Sequence, residues 1–301
     1  MKKKSNKSHS WQDNLIDATI AIVLGVFAII CIYPFYYMFI NTISDNTLVN
    51  TGRIKLLPQG IHFTNYVNIL KLDGLFQAAM ISLARTVLGS VFTLTCAAVP
   101  AYCFSKEEYW GKKVLYKYAI IVMYFNAGVI PTFLTYRMIG IYNTFWVYIL
   151  PCVVTPFNMI LVKTYMESLP PALEEVAEID GAGYLTRLTK VVLPLCKPIL
   201  ATITVFSAVG QWNGWMDTLL YTKKSELRTL QYVLYWYMND TATLANLVKE
   251  NATGNIDLST MITPNVTKYT ISAVVVTPIM IVYPLFQRYF IKGMMVGAIK
   301  G

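Results

Sequence analysis

The residues able to do covalent or metal chemistry are few in this chain, and badly spaced for it. His9 and His62 are its two histidines, and neither stands in a metal-binding or triad-like context. The five cysteines (Cys31, Cys96, Cys103, Cys152, Cys196) form no C-x-x-C pair, so they read as small apolar packing residues. No glycine-rich phosphate loop with a following lysine occurs, so the chain cannot hydrolyse ATP alone. No catalytic residue, metal ligand or bound cofactor is expected. A patterned run of acids and then bases occupies residues 173–198, "LEEVAEIDGAGYLTRLTKVVLPLCKP". Glu174, Glu175, Glu178 and Asp180 precede a Gly181-Ala182-Gly183 break, and a basic stretch follows, ending in Leu193-Pro194. That pattern suits recognition rather than catalysis.

The local physics predicts a helix-turn-helix. Pro170 and Pro171 fit a first turn, where no intrahelical N–H is needed, and acids there are favoured by the helix dipole. Leu173, Val176 and Ala177 form an apolar stripe beside the charged face, and the glycines permit a sharp turn. A second short helix places Leu185, Leu188 and Val192 on one face before Pro194 ends it. An acidic face suits an anionic lipid leaflet poorly, so a protein partner is the better occupant.

The elements around this knob are greasy. Hydrophobic residues make up 55% of the 301, and charged residues only 14%, against about 25% in soluble domains. Runs free of Asp, Glu, Lys, Arg and His cover residues 18–40, 86–105, 118–136, 138–162, 198–216 and 269–287. Each approaches or exceeds the roughly 20 residues that cross a bilayer, and none alternates with period two, so six helices are expected rather than strands. The first run is too long for a signal-peptide core and no cleavage site follows it. The net charge of +9 records orientation, not nucleic acid. With the N-terminus inside, fifteen of the 25 Lys and Arg fall on inner segments and nine on outer ones, with Arg85 at an edge. The expected organisation is a tail at 1–14 and a six-helix membrane domain at 15–292, then a tail at 293–301. The domain includes outer loops 42–76 and 222–268 and the polar loop 167–194. Both termini would lie in the cytoplasm.

The polar loop resembles the EAA loop of ABC importer permeases: Glu-Ala-Ala, three residues, Gly, nine residues, Ile-x-Leu-Pro. Here it reads Glu175-Val176-Ala177, Gly181, then Val191-Val192-Leu193-Pro194, with Val176 and Val191 as conservative departures. "AEIDGAG", "LPLCKPIL", "QWNGWMDTLLY" and the C-terminal "GMMVGAIKG" are similar to the carbohydrate-uptake, MalG-like branch, and "VIPTFLTYRMIGIYNTFWVYILP" to its LplC/YtcP-type members. The resemblance implies a MetI/MalG-like, all-α fold of six transmembrane helices with a cytoplasmic coupling hairpin, in a bacterial cell membrane. It implies a second permease subunit (MalF/LplB-like), a dimer of ABC ATPases carrying ATP and Mg, and an extracytoplasmic sugar-binding protein. Glu174, Glu175, Ala177, Asp180, Gly181, Ala182, Leu193 and Pro194 would couple to the ATPase, and the C-terminal tail would reach toward it. The cargo class implied is oligosaccharides or complex-glycan fragments.

Polar groups inside spans are costly and often line a path. Tyr124, Asn126, Asn158, Gln211, Trp212, Asn213 and Trp215 are candidates, offering aromatic faces and amides suited to sugars without fixed charge. The alternatives stay open: Asn126 and Asn158 as interhelical glue, and Trp212 and Trp215 as an interfacial belt. Arg85 either snorkels to headgroups or serves as a pathway cation for an acidic sugar. A secondary, ion-coupled transporter or channel subunit is the rival class, but the uncharged runs lack the mid-membrane ionisable residues it normally keeps.

Overall fold

The computed structural model describes residues 11–239 and 263–298, helical throughout with no strand among the described residues. The expected tail 1–14, loop 222–268 and tail 293–301 fall partly outside that range, at 1–10, 240–262 and 299–301. In order the helices are α1 (Trp11–Thr42), α2 (Asn46–Asn50), α3 (Thr64–Leu70), α4 (Leu75–Ser105), α5 (Lys112–Tyr124) and α6 (Val129–Met138). Next come α7 (Leu150–Val153), α8 (Pro156–Glu167), α9 (Ala172–Ile179), α10 (Tyr184–Thr186), α11 (Leu193–Leu195) and α12 (Lys197–Asn213). The last three are α13 (Met216–Tyr221), α14 (Leu230–Asn239) and α15 (Pro264–Ala298).

The chain forms two units, residues 1–69 with 241–273, and residues 70–240 with 274–301. In the first, Ile40, Val49, Ile54 and Val266 make a small core, and Asn46 and Asn65 exchange two buried 2.9 Å amide hydrogen bonds. Most of α1 has no cover within the chain: none of its most apolar stretch is buried. A bare apolar helix of this length is a lipid or subunit face.

In the second unit α4 is the central element. Its buried face is built from small residues (Ser82, Gly89, Ser90, Ala97, Ala98, Ala101), which let α8 and α12 approach closely along it. At its C-terminal end Ala97, Ala101, Tyr102 and Phe104 pack with Met159, Val162, Met166, Leu188, Val192, Cys196 and Ile203.

Among the described residues three helices, α1, α4 and α15, are long and apolar enough to span a membrane whole, and two bent pairs bring the number to five if each is one span. The run 118–136, expected as one helix, is broken at residues 125–128. Gly128 takes φ +85°, and the Asn126 side chain accepts the Gly128 N–H at 2.9 Å, a local bond that replaces the helical ladder. The run 138–162 is also not one helix: a 3₁₀ turn at Phe145–Tyr148 leads into α7, and α8 follows after a 43° bend. Pro156 has no N–H to give the Cys152 carbonyl, which instead accepts from the Thr93 and Thr155 hydroxyls, each at 3.2 Å. Pro194 does not end the second hairpin helix. The helical path continues to Leu195 and then turns by 81° into α12 at Cys196. Pro194 lacks the N–H for Lys190, and the preceding residues Arg187–Val192 widen to π geometry, the Leu193 N–H reaching Leu188.

Candidate functional site

Two clusters of polar side chains lie at opposite ends of α4. The first is the hairpin. In α9, Glu174 and Glu175 occupy the first turn. The helix closes in a Schellman arrangement: the Gly181 N–H donates to Glu178 O and the Ala182 N–H to Ala177 O, both at 2.9 Å. Gly181 sits at φ +80°, the left-handed position that favours glycine, with open space around it. This explains its spacing after Ala177, and it leaves Asp180 and Gly181 exposed at the tip.

Glu174 has partners within the chain. Its carboxylate turns inward, accepting hydrogen bonds from Tyr102 (2.5 Å) and from Lys106, with Arg187 Nε 3.9 Å away. Partial burial raises its pKa, but the hydrogen bonds from Lys106 and Tyr102 and the charges of Lys106 and Arg187 outweigh that, holding it below the ordinary carboxylate value. Glu178 pairs with Arg187 at 2.6 Å. Glu174 therefore ties the hairpin to α4, and Glu175 and Asp180 are the acids left facing outward. Leu188 and Val192 are buried in the core shared with α4, but Leu185, expected on the same face, is 74% exposed. Together with Val176 (59%) and Ile179 (85%) it forms an apolar surface left uncovered among the described residues. Leu193 is partly buried against the same core, and Pro194 follows it in α11.

The second cluster surrounds Arg85, which is 2% exposed. Its guanidinium donates to Asp217 Oδ2 (2.5 Å) and Oδ1 (3.2 Å), to Gly214 O (3.1 Å) and to Gln211 Oε1 (3.1 Å), and lies 4.5 Å over the Tyr148 ring. Gln211 also donates to Tyr148 O at 3.3 Å, and Tyr148 OH to Leu227 O at 2.7 Å. The packing leaves no slack. A β-carbon on Gly89 would stand 2.6 Å from Gln211 Nε2, and one on Gly214 2.6 Å from Arg85 Nη2. The cluster thus holds α4, the 3₁₀ turn, and the break between α12 and α13.

The other path candidates disperse. Asn213 is exposed at the end of α12, and Trp215, in the break, stacks on Tyr235 with centroids 4.2 Å apart. Trp212 donates its Nε1–H to Val275 O of α15 at 2.9 Å, a helix-to-helix bond rather than a belt position. Asn158 is buried in α8, whereas Tyr124 and Asn126 are exposed at the break after α5 and do not join the Arg85 cluster. Asp217, Tyr148, Lys106, Tyr102 and Arg187 were missed as partners. Arg85 and Asp217 each bound an uncharged run from outside, so counting apolar lengths trims both away. Opposite charges at adjoining ends of two antiparallel helices are the signal that finds them. Among the described residues no group of His, Cys, Asp and Glu is placed to hold a metal.

Comparison with known proteins settles the class. The family model for binding-protein-dependent transport system inner membrane components matches residues 4–296. The chain belongs to this family. A relative described as the polygalacturonan/rhamnogalacturonan transport system permease protein YtcP of Bacillus subtilis (strain 168) is 30% identical over 96% of this chain and 100% of its own. The protein LplC of the same organism is 31% identical over 95% of each chain. A crystal structure of a bacterial ABC transporter involved in the import of the acidic polysaccharide alginate contains a chain that matches with a TM-score of 0.84 and 32% identity, over 93% of this chain and 98% of that one. This protein is therefore an all-α membrane permease of an ABC transporter, a transport subunit and not an enzyme, with ATP hydrolysis left to a partner ATPase.

Proposed function

We propose that this chain is one of two permease subunits that form the path of an oligosaccharide importer in the bacterial cell membrane, its termini and hairpin on the cytoplasmic side. A dimer of ABC ATPases, carrying ATP and Mg, grips the hairpin, and an extracytoplasmic binding protein delivers the sugar. One observation carries the reading. The hairpin presents Val176, Ile179 and Leu185 outward with Glu175 and Asp180, on a short helix bolted to α4 through Glu174. Such a surface needs a protein cover, and the bolt makes it a handle rather than a loop. The saccharide cargo rests on the names of the relatives, both of the polygalacturonan and of the alginate systems, and on the amide and indole at the α12–α13 break. Asn213 and Trp215 there are the path residues retained in this reading, and Gln211 supports them from behind.

The test is Gly181→Asp in the complex reconstituted with its second permease, ATPase and binding protein. The variant should insert and lose ATP-stimulated uptake. Normal stimulation would contradict the proposal. Thermal-shift screening of the cognate binding protein against glycans should return a saccharide; an amino acid or metal ion as the sole stabiliser would remove the sugar assignment.

A further inference from the structure

The covalent route from hairpin to α12 is poorly built for transmitting force, because it contains a π segment at Arg187–Val192 and an 81° turn at Cys196. Non-covalent attachments at the two ends of α4 offer another route. At one end Tyr102 and Lys106 hold Glu174 of α9, and Leu188 and Val192 share a buried core with Ala97, Ala101, Tyr102 and Phe104. At the other, Arg85 reaches three points of the α12–α13 break at once: Gln211, the Gly214 carbonyl and Asp217. That break is fastened further. The Gly214 carbonyl also accepts from Thr229 at 3.2 Å, and the Leu230 N–H donates to Ser82 of α4 at 2.8 Å. From Arg85 to Lys106 α4 advances about 30 Å, close to the ~30 Å thickness of the hydrocarbon layer.

Resting on the importer reading above, we infer that α4 is the transmission rod of this subunit, and that Arg85 and Asp217 are positioning residues which make the α12–α13 break move with the hairpin as one body. The buried position of Arg85 and the neutralising carboxylate beside it remove it from sugar recognition. Its directed fork supplies what an apolar contact would not, bonds to the Gln211 side chain of α12, the Asp217 carboxylate of α13 and the Gly214 carbonyl between them.

The experiment uses the full reconstituted complex and counts ATP hydrolysed per sugar imported. Arg85→Met with Asp217→Leu replaces the pair by apolar side chains, a change that buried pairs commonly tolerate in folding. The count should rise about tenfold, the size of a typical coupling between sites, while ATPase turnover holds. Lys106→Met loosens the other end and should raise the count similarly, and combining the two should add little, because a rod freed at one end already fails. An unchanged count in the assembled apolar-pair variant, or full additivity of the two ends, would overturn the inference. Should the variants fail to assemble, spin labels at the exposed Ala172 of α9 and Leu219 of α13 in the otherwise wild-type complex decide. Their separation should be the same in nucleotide-free and ATP-trapped states, and a change overturns the single-body claim. A wild-type complex whose import needs no ATP would instead overturn the importer reading, and the rod with it.

Discussion

Arg85 shows how burial decides what a charge is for. With Asp217 and Gln211 occupying its donors, it has no free face for a substrate carboxylate. Arg85→Gln should therefore depress uptake of neutral and uronate oligosaccharides by the same factor, measured as initial rates in proteoliposomes; a selective loss of the uronate would restore a pathway role. Glu174 gives the pH counterpart. Its folded-state pKa is depressed, so its contribution is complete above the unfolded value of about 4.3 and is lost as pH falls through the lower folded value. Hydrogen exchange of the α9 amides should show constant protection from pH 7 down to about pH 5 and a fall below the ordinary glutamate range. In Glu174→Gln the protection should be weaker at pH 7 and flat with pH. A wild-type midpoint above 5 would contradict the anchoring geometry.

At the scale of elements, the hairpin was legible because its physics is local. First-turn acids, a glycine at the left-handed C-terminal position and a proline at fixed distance are all written within residues 170–194. The breaks in the runs 118–136 and 138–162 were not, because hydropathy counts side chains while Gly128 and Pro156 act on the backbone. Their residues were visible; what hid the outcome was the source of replacement hydrogen bonds. Thr93, on another helix, supplies Cys152, and no local pattern announces that. The inward turn of Glu174 was hidden for the same reason, since Tyr102 and Lys106 lie about 70 residues away in the chain. Thr93→Val should thus destabilise the α7–α8 bend by about 1 kcal/mol, read from the midpoint of thermal unfolding in detergent, and Pro156→Ala should partly rescue it by restoring a backbone donor. Absence of rescue would mean the hydroxyl serves something other than that carbonyl.

At the scale of the molecule, a permease subunit that leaves ATP hydrolysis to a partner does work only through what holds it. The bare α1, the uncovered patch on the hairpin and the family's composition all describe a subunit made to be surrounded. In the proposed function the hairpin patch serves as the mechanical joint, so charge there should abolish assembly rather than folding: Ile179→Asp should leave insertion and hairpin exchange unchanged while losing co-purifying ATPase. The most direct measurement places a cysteine at position 179 in a background lacking the five native ones and crosslinks it in intact cells. The account predicts a crosslink to the ATPase subunit and no reaction with membrane-impermeant thiol reagents added from outside. Labelling from outside, or crosslinks that never include an ATPase, would contradict it.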